Sequence, residues 1–285
     1  MRIDLHTHST VSDGTDTPTE LMRAAAVAGL DVVAITDHDT TVGWAEAAEA
    51  TGHNNLTLIR GSEISTQIGH RSVHMLGYLF DPREPVLAAE LALIRDNRLP
   101  RLQEMTRRLR EQQGLAITWA DVLEQAGSTE AVGRPHLADA LVARGFVASR
   151  DQAFATLLDW QSSAYVPKYS PDTAVAIGLV RAAGGVPVIA HPWAGGSRGV
   201  LEVAMLASLR EAGLVGLEVD HLDQDESSRD ELRRIAHDLG LVITGSSDYH
   251  GTGKRGYHLG VCTTSPHAYE AILAAVGPGG LDPVP

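Results

Sequence analysis

Several features that mark particular classes of protein are scarce or absent in this sequence. Cys262 is the only cysteine, so no internal disulfide can form, as is usual for a reducing compartment. The residues after Met1 are too polar for the apolar segment of a signal peptide, and no apolar run approaches the length of a membrane span. We therefore expect a cytoplasmic protein without membrane contact.

Positive charge is also scarce, with 23 Lys and Arg against 36 Asp and Glu and a formal net charge of −13. This balance argues against a surface that grips long nucleic acids, because such binding neutralises many phosphates. A small phosphorylated substrate or a short RNA remains compatible, since bound divalent cations would offset part of the acidic charge. The 285 residues, of which 44% are hydrophobic, suffice for one large α/β domain.

The opening segment carries the first candidate site. A short apolar run ends in His6 and His8, and Asp13 follows in a polar turn. Side chains two apart on a strand point the same way, so both imidazoles can face one metal ion, and Asp13 can approach it. Imidazole and carboxylate suit zinc, manganese and iron. Because an isolated His-x-His is more often a pair of ordinary histidines, the rest of the chain must decide.

Further metal-binding residue types recur after short apolar runs. The predicted strands, each with the side chains that follow or lie in it, are 31–36 with His38, 56–60 with Glu63, 72–79 with His74, 186–190 with His191, 215–219 with Asp220 and His221, and 241–244 with Asp248 and His250. A helix capped at Thr17 and another at 42–50 alternate with the first strands. This alternation predicts parallel β/α architecture, in which chemistry takes place at the carboxyl ends of strands.

The segment 82–168 lacks a convincing strand. Helices are predicted near 85–112, 119–125, 134–144 and 150–158. We expect a barrel formed by 1–98 and 169–277, a small helical insertion at 99–168, and a flexible tail at 278–285. Six arginines on or beside the first helix permit two interpretations: a solvated face balanced by acidic residues, or a cationic wall near the substrate. They are Arg95, Arg98, Arg101, Arg107, Arg108 and Arg110.

Nine candidate ligands are too many for one ion and suitable for two or three. They are His6, His8, Asp13, His38, Glu63, His74, His191, Asp248 and His250. A multimetal site polarises a phosphoryl group and lowers the pKa of a bridging water, so that hydroxide forms near neutral pH. Glu63 is the natural bridging carboxylate in this set.

The order of these motifs resembles that of the PHP (polymerase and histidinol phosphatase) family. The segments that carry the resemblance are His6-Thr-His8, Ser12-Asp13-Gly14, Ile35-Thr-Asp-His38, Gly61-Ser-Glu63, His74-Met-Leu-Gly77, Ala190-His-Pro192 and Ser247-Asp-Tyr-His250. Within the family, Gly133-Arg-Pro-His136 and Ala164-Tyr-Val-Pro-Lys168 resemble the stand-alone nucleoside bisphosphate phosphatase and RNase AM-like group.

The resemblance implies a distorted seven-stranded (β/α) barrel with a trinuclear site. One ion would be held by His6, His8, Glu63 and Asp248, a second by Glu63, His74 and His191, and a third by Asp13, His38 and His250. Arg134, His136 and Lys168 would bind the substrate phosphate. The attacking group would be a metal-bound hydroxide, with assistance from His191 as a further hypothesis.

The expected activity is hydrolysis of phosphate monoesters of small nucleotides, such as a nucleoside 3′,5′-bisphosphate or an AMP-like monophosphate, with manganese, iron or zinc. Three alternatives stay open: a 5′–3′ exoribonuclease acting on short RNA, a cyclic-phosphate dihydrolase, and a metal-binding module without catalysis. Asp37, Asp220 and His221 are interpreted as supporting or structural residues. Ordinary surface histidines are expected at His53, His70, His237, His258 and His267.

Overall fold

A computed structural model describes residues 1–52, 56–127 and 132–285, without the side chains of 195–197. The chain divides into two compact units, a barrel unit of Met1–Leu91 and Ser170–Pro285 and a helical unit of Ala92–Tyr169. The first boundary between the units lies between Leu91 and Ala92, within the helix Pro85–Asp96. The helical unit therefore begins seven residues before the predicted start of the insertion at 99. His53 lies outside the described residues.

In the described residues, seven strands form one sheet in which neighbours in space are also neighbours along the chain. They are β1 (Ile3–Asp4), β2 (Val32–Ile35), β3 (Thr57–Ile68), β4 (Arg71–Tyr78), β5 (Val186–Ile189), β6 (Gly216–Asp220) and β7 (Val242–Gly245). All neighbouring pairs are parallel except those of β4, which runs antiparallel to both β3 and β5. The β3–β4 hairpin replaces a β/α unit, and β3 is much longer than the predicted 56–60.

The two ends of the sheet meet where the chain leaves β1 and β7. Thr7 and Tyr249 form a parallel bridge, and the backbone N–H of Ser247 donates to the carboxylate of Asp4 at 2.9 Å. Apolar side chains from most strands fill the interior, among them Ile3, Val32, Ile59, Leu76 and Val188. The barrel is thus nearly closed, which confirms the predicted distorted (β/α)7 architecture.

Helices of the barrel unit follow the strands, and four of them begin at a side-chain cap, namely Thr17, Asp172, Asp225 or Ser265. Their bounds are α1 (Pro18–Val27), α2 (Trp44–Thr51), α8 (Thr173–Ala182), α9 (Val203–Glu211), α10 (Glu226–Leu239) and α11 (Pro266–Ala274). The predicted capping box is present: the Thr17 hydroxyl accepts from the N–H of Glu20, whose carboxylate accepts from the N–H of Thr17. Each cap satisfies amide groups that a helix start leaves unpaired.

The segment after residue 277 differs from the flexible tail that we predicted. Leu58 and Val284 exchange two backbone hydrogen bonds, of 2.8 and 3.0 Å, and the N–H of Leu281 donates to the carbonyl of Leu79 at 2.7 Å. Gly184 lies against the same segment with φ of +76°, where an added Cβ would lie 2.2 Å from the nitrogen of Gly280. Backbone pairing, which glycine and proline content does not reveal, orders the tail.

Where the structure describes it, the helical unit contains the end of α3 (Pro85–Asp96) and four further helices, α4 (Arg98–Gln113), α5 (Trp119–Ala126), α6 (Arg134–Ala143) and α7 (Arg150–Ala155). The unit has its own apolar core, which includes Leu102, Leu109, Val122 and Leu141. The single helix predicted over 85–112 is broken at Asn97. Pro100 explains the break, because it lacks an N–H and its ring clashes with the carbonyl of a preceding helical turn.

One smaller difference from the sequence expectations concerns α7. The helix ends at Ala155, three residues before its predicted end. None of the helices in the described ranges combines the length and the hydrophobicity that a membrane span requires.

Candidate metal centre

The barrel unit brings all nine predicted ligands into one cluster: seven follow β1, β2, β5 or β7, whereas Glu63 and His74 lie within β3 and β4. Among these nine residues, ligand atoms within 4.8 Å of one another form three groups: His6, His8, Glu63 and Asp248; His8, Asp13, His38 and His250; and His38, Glu63 and His74. A fourth group joins Asp248 to His221 and Asp223, which were not predicted as ligands. The ninth residue, His191, joins through Glu63, whose Oε1 lies 3.1 Å from its Nε2. Parallel strands that end on the same edge explain why residues distant in sequence meet here.

Glu63 occupies the centre of the cluster and uses both of its oxygens. Its Oε1 lies 2.7 Å from Nδ1 of His74 and 3.1 Å from Nε2 of His191. Its Oε2 lies 3.2 Å from Nε2 of His6 and 3.1 Å from Nε2 of His8. A carboxylate with imidazoles on both oxygens has the arrangement needed to bridge two cations.

A second carboxylate, Asp13, gathers another group of histidines. Its Oδ1 lies 3.3 Å from Nε2 of His250 and 3.7 Å from Nδ1 of His8, and its Oδ2 lies 3.7 Å from Nε2 of His38. All four residues pack closely, since the rings of His8 and His250 stack with centroids 4.2 Å apart. This group contains Asp13, His38 and His250, which the family resemblance assigned to a third ion, together with His8. That assignment stays a prediction.

The donor atoms fit divalent cations better than they fit one another. Nε2 of His6 lies 3.0 Å from Nε2 of His8, so two ring nitrogens face each other inside the cluster. Nδ1 of His38 is buried and has no hydrogen-bond partner among the described residues. Buried polar atoms normally have partners, and a lone pair that lacks one is the donor that a metal requires. Zinc, manganese and iron all accept such nitrogen and oxygen ligands.

Electrostatics favour ionised carboxylates in the cluster. Although burial alone raises the pKa of the Glu63 carboxyl, His38, His74 and His6 hold it well below its usual range. Burial similarly opposes ionisation of Asp13, whose pKa His38 and His250 nevertheless hold well below its usual range. Burial is the largest influence on His38 and lowers its pKa to about 3. Metal binding requires carboxylates in the ionised form that this cluster favours.

Glu218 is a functional residue that our sequence reasoning missed. Its fully buried carboxylate accepts a hydrogen bond from Nδ1 of His6 at 3.0 Å and from the N–H of His191 at 2.8 Å. Although burial opposes ionisation, His6 helps to lower the pKa of Glu218 to about 2. Because an ionised carboxylate only accepts, His6 must donate through Nδ1 and direct Nε2 into the cluster. A glutamate inside the apolar strand β6 was the available signal.

Lys254 and His221 hold one oxygen of Asp248. Oδ2 lies 2.7 Å from Nζ of Lys254 and 3.2 Å from Nε2 of His221. The other oxygen, Oδ1, lies 3.4 Å from Nε2 of His6 and 3.3 Å from Nε2 of His8. Asp248 therefore presents a single oxygen to the cluster. Lys254, which is one of two lysines in the chain, was not predicted, because a loop residue has no periodic pattern.

The other supporting residues behave as the sequence suggested. Asp37 accepts from the Ser9 backbone at 2.8 Å and from the Ser12 hydroxyl at 2.6 Å, and Ser12 lies 3.4 Å from Nδ1 of His8. Asp37 thus orients His8 through the Ser12 hydroxyl. Asp220 forms an ion pair with Arg233 on α10, which makes it structural.

Two candidate ligands lie in strained backbone conformations. The φ angles of His191 and Asp248 are 27° and 52°. Residues with side chains rarely adopt positive φ, and such strain concentrates where function demands a particular side-chain direction. Both residues follow strands, so the strained turns aim their side chains back over the strand ends.

The three residues predicted to bind substrate phosphate all belong to the helical unit. Arg134 begins α6, with Cζ 5.2 Å from the centre of the Phe154 ring, and Nδ1 of the buried His136 accepts from the N–H of Gly133 at 2.9 Å. Lys168 precedes the end of this unit. Their assignment to the substrate therefore stays a prediction.

The remaining histidines and arginines separate into surface and buried groups. His70, His237, His258 and His267 are exposed, in agreement with their interpretation as surface residues. Arg107 and Arg108 pair with Glu104, and Arg110 pairs with Glu111, as expected for a solvated face. Arg101 differs, since only 9% of it is exposed.

Comparison with known proteins agrees with this geometry. Residues 4–127 match the model of the PHP domain. The chain is 35% identical over 261 residues to a 3′,5′-nucleoside bisphosphate phosphatase of Chromobacterium violaceum, covering 90% of each chain. It is 34% identical over 260 residues to a 5′–3′ exoribonuclease of Haemophilus influenzae, covering 87% of this chain and 90% of that protein.

A solved structure extends the similarity to the whole fold. A protein of Bifidobacterium adolescentis, assigned as a metal-dependent phosphoesterase, superposes with a TM-score of 0.90 and 41% identity. The match covers 98% of this chain and 96% of that one. With the ordered histidine and carboxylate motifs, the closing barrel and relatives of this similarity over nearly full length, the chain belongs to the PHP family.

Proposed function

We propose that this protein is a metal-dependent phosphoesterase that hydrolyses phosphate monoesters of small nucleotides. The observation that carries the proposal is the geometry of Glu63, whose two oxygens contact imidazoles of different ligand groups. A buried carboxylate so placed serves two cations together, as phosphoryl-transfer sites with more than one metal require.

Two to three divalent ions, of manganese, iron or zinc, would be held by the nine clustered residues. The proposed sets are His6, His8, Glu63 and Asp248; Glu63, His74 and His191; and Asp13, His38 and His250. Such ions polarise phosphoryl oxygens, neutralise their charge and lower the pKa of the water that attacks phosphorus. Which of the three metals is native depends on availability as much as on ligand type.

The chain's own residues would orient this chemistry. Glu218 accepts a hydrogen bond from Nδ1 of His6 and so keeps the His6 proton on that nitrogen. Nζ of Lys254 binds Oδ2 of Asp248, the oxygen that does not contact His6 and His8. His191, with Nε2 at 3.1 Å from Glu63, is placed either to bind an ion or to give a proton to the leaving oxygen. In the helical unit, Arg134, His136 and Lys168 would bind the substrate phosphate, since a guanidinium fork and an ammonium both suit phosphate.

The names of the relatives narrow the substrate class. One relative of 35% identity is a 3′,5′-nucleoside bisphosphate phosphatase and another of 34% identity is a 5′–3′ exoribonuclease. Both names refer to phosphate esters of nucleosides. We therefore propose a nucleoside 3′,5′-bisphosphate or an AMP-like monophosphate as substrate, and a short RNA with a 5′ phosphate as the second candidate. The net charge of −13 favours mononucleotides over long RNA.

Phosphate release should be measured from adenosine 3′,5′-bisphosphate, AMP and a short 5′-phosphorylated RNA with manganese-loaded protein. We expect release from the bisphosphate, and a decrease of roughly 100-fold or more for Glu63→Gln. A matched Glu270→Gln variant, altered at an exposed position on α11, should retain wild-type turnover. Wild-type rates in Glu63→Gln would refute the proposed site. Faster, steeply salt-dependent cleavage of RNA would instead favour the exoribonuclease.

A further inference from the structure

Two loops of the barrel unit meet at one of the proposed ligand sets. The first loop, 9–16, follows β1 and carries Asp13, and the second loop, 249–253, follows β7 and carries His250. Oδ1 of Asp13 lies 3.3 Å from Nε2 of His250. Because the proposed third ion needs both side chains, its binding depends on how closely the two loops are held together.

The hydroxyl of Tyr249 connects the two loops. It donates to Oδ2 of Asp16 at 2.7 Å, a normal length for a hydrogen bond to a carboxylate. The carbonyl of Asp16 also accepts from the N–H of Thr10 at 2.8 Å, which closes the first loop around Asp13. Tyr249 directly precedes His250, so this bond ties the second loop, beside its ligand, to the closed loop that carries Asp13.

Thr15 provides a second connection, on the other side of His250. Its Oγ1 accepts from the N–H of Thr252 at 2.9 Å and donates a longer bond of 3.4 Å to the carbonyl of His250. Gly251 permits this approach, since its φ is +64° and an added Cβ would lie 2.0 Å from Oγ1 of Thr15. We call the residues that make these connections the inter-loop latch, namely Thr15, Asp16, Tyr249 and Gly251.

The other two proposed ions depend less on the inter-loop latch. The set of Glu63, His74 and His191 uses neither of the two loops. In the remaining set, Asp248 has its own support, because Nζ of Lys254 holds its Oδ2 at 2.7 Å. The inter-loop latch therefore acts mainly on the third set.

We propose that the inter-loop latch positions Asp13 against His250 and thereby sets the affinity for the third ion alone. The inference rests on the proposed function, which assigns this ion to Asp13, His38 and His250. Groups that orient metal ligands without binding the metal typically change metal affinity by about 10- to 100-fold. The four residues are thus positioning residues, and their effect is read from ions bound, independently of turnover.

Manganese binding by chelator-stripped protein provides the test, with equilibrium dialysis followed by elemental analysis. Tyr249→Phe removes the hydroxyl that bonds to Asp16, and Tyr269→Phe, which makes the same change on α11, is the matched control. We expect three ions in the wild type and the control. Tyr249→Phe should bind the third ion about tenfold or more weakly and the other two as the wild type does. Thr15→Val should act in the same direction, whereas Thr15→Ser retains the hydroxyl and should bind as the wild type does.

Asp13→Ala identifies the affected ion, because it removes a ligand of the third set. Once that ion is lost, the inter-loop latch has no ion left to support. The double variant of Asp13→Ala and Tyr249→Phe should therefore bind the remaining two ions as Asp13→Ala alone does. Equal weakening of all three ions by Tyr249→Phe, or further weakening in the double variant, would show a general structural role and overturn the proposal. Unchanged affinity for the third ion in both Tyr249→Phe and Thr15→Val would overturn it as well.

Failure of this inference and failure of the proposed function give different results. A wild type that binds only two ions and still releases phosphate from adenosine 3′,5′-bisphosphate would overturn the role of the inter-loop latch and support the phosphoesterase. Three bound ions, with the third selectively weakened in Tyr249→Phe but no phosphate release by the fully loaded wild type, would support the inter-loop latch and refute the proposed activity.

Discussion

Replacing Glu218 with Gln tests whether the metal centre depends on a proton held at one ring nitrogen. The wild-type carboxylate accepts from Nδ1 of His6 at 3.0 Å and from the N–H of His191 at 2.8 Å. The amide of Gln has one oxygen and one NH₂ group. The Gln oxygen can accept from the N–H of His191 while the NH₂ group donates to Nδ1 of His6. The His6 proton then moves to Nε2, which is the nitrogen that must be unprotonated to bind metal.

The expected loss follows from this geometry. Substitution of groups that orient a metal-binding histidine weakens metal binding or activity by about 10- to 100-fold, equal to about 1.4–2.7 kcal/mol. We expect the upper part of this range, because Glu218 is fully buried and contacts both His6 and His191, two proposed ligands of different ions. The fold should survive, since Gln has nearly the same volume and retains at least one of the two hydrogen bonds.

Equilibrium dialysis in metal buffers, followed by elemental analysis, gives the affinity and the number of ions bound per chain. Histidine ring NMR of the metal-free protein reports the tautomer of His6 directly. Glu270→Gln, on exposed α11, is the matched control and should bind metal as the wild type does. Wild-type metal affinity in Glu218→Gln, with the His6 proton still on Nδ1, would refute the reasoning.

Three further predictions concern the electrostatics and the packing. Lys254→Met should weaken metal binding about tenfold, because Asp248 loses the ammonium at 2.7 Å that holds its outer oxygen; elemental analysis of dialysed protein checks this, and unchanged metal content would contradict it. Gly184→Ala should destabilise the fold by about 2 kcal/mol or more, because φ is +76° and the Cβ would clash with Gly280, whereas Gly178→Ala in helix α8 should be neutral or stabilising by about 0.5–1 kcal/mol in urea unfolding. Hydrogen bonds from Arg107 and Arg108 lower the pKa of Glu104 to about 2, so its contribution to stability is complete above its ordinary value of 4.5 and is lost as the pH falls toward 2. Glu104→Gln should accordingly be less stable than the wild type at pH 7, and the difference should shrink below pH 4.5; a difference independent of pH would contradict this assignment.

The ligand positions were predictable because they depend on local patterns. A β-branched run followed by His, Asp or Glu predicts a side chain at a strand end, and parallel β/α order predicts that such ends converge. His38 after β2 and His191 after β5 both followed this rule. The predicted barrel and the predicted family depend on the same local patterns, and both predictions were confirmed.

Other features depend on contacts that no local pattern reveals. The length of β3 comes from its antiparallel pairing with β4, and the order of the tail comes from Val284 pairing with Leu58. The break between α3 and α4 could have been predicted from Pro100, whose effect we overlooked. Glu218 was likewise visible as a charge within an apolar strand. Lys254, by contrast, lies in a loop, where its contact with Asp248 depends on the tertiary fold.

The most direct test of the central claim is phosphate release from adenosine 3′,5′-bisphosphate by chelator-stripped protein as manganese is returned in measured amounts. If the histidine and carboxylate cluster is a multimetal hydrolytic site, the stripped protein should release no phosphate, and release should increase with the second ion bound per chain. Equal release by stripped and loaded protein, or no release once two or more ions are bound, would contradict the account.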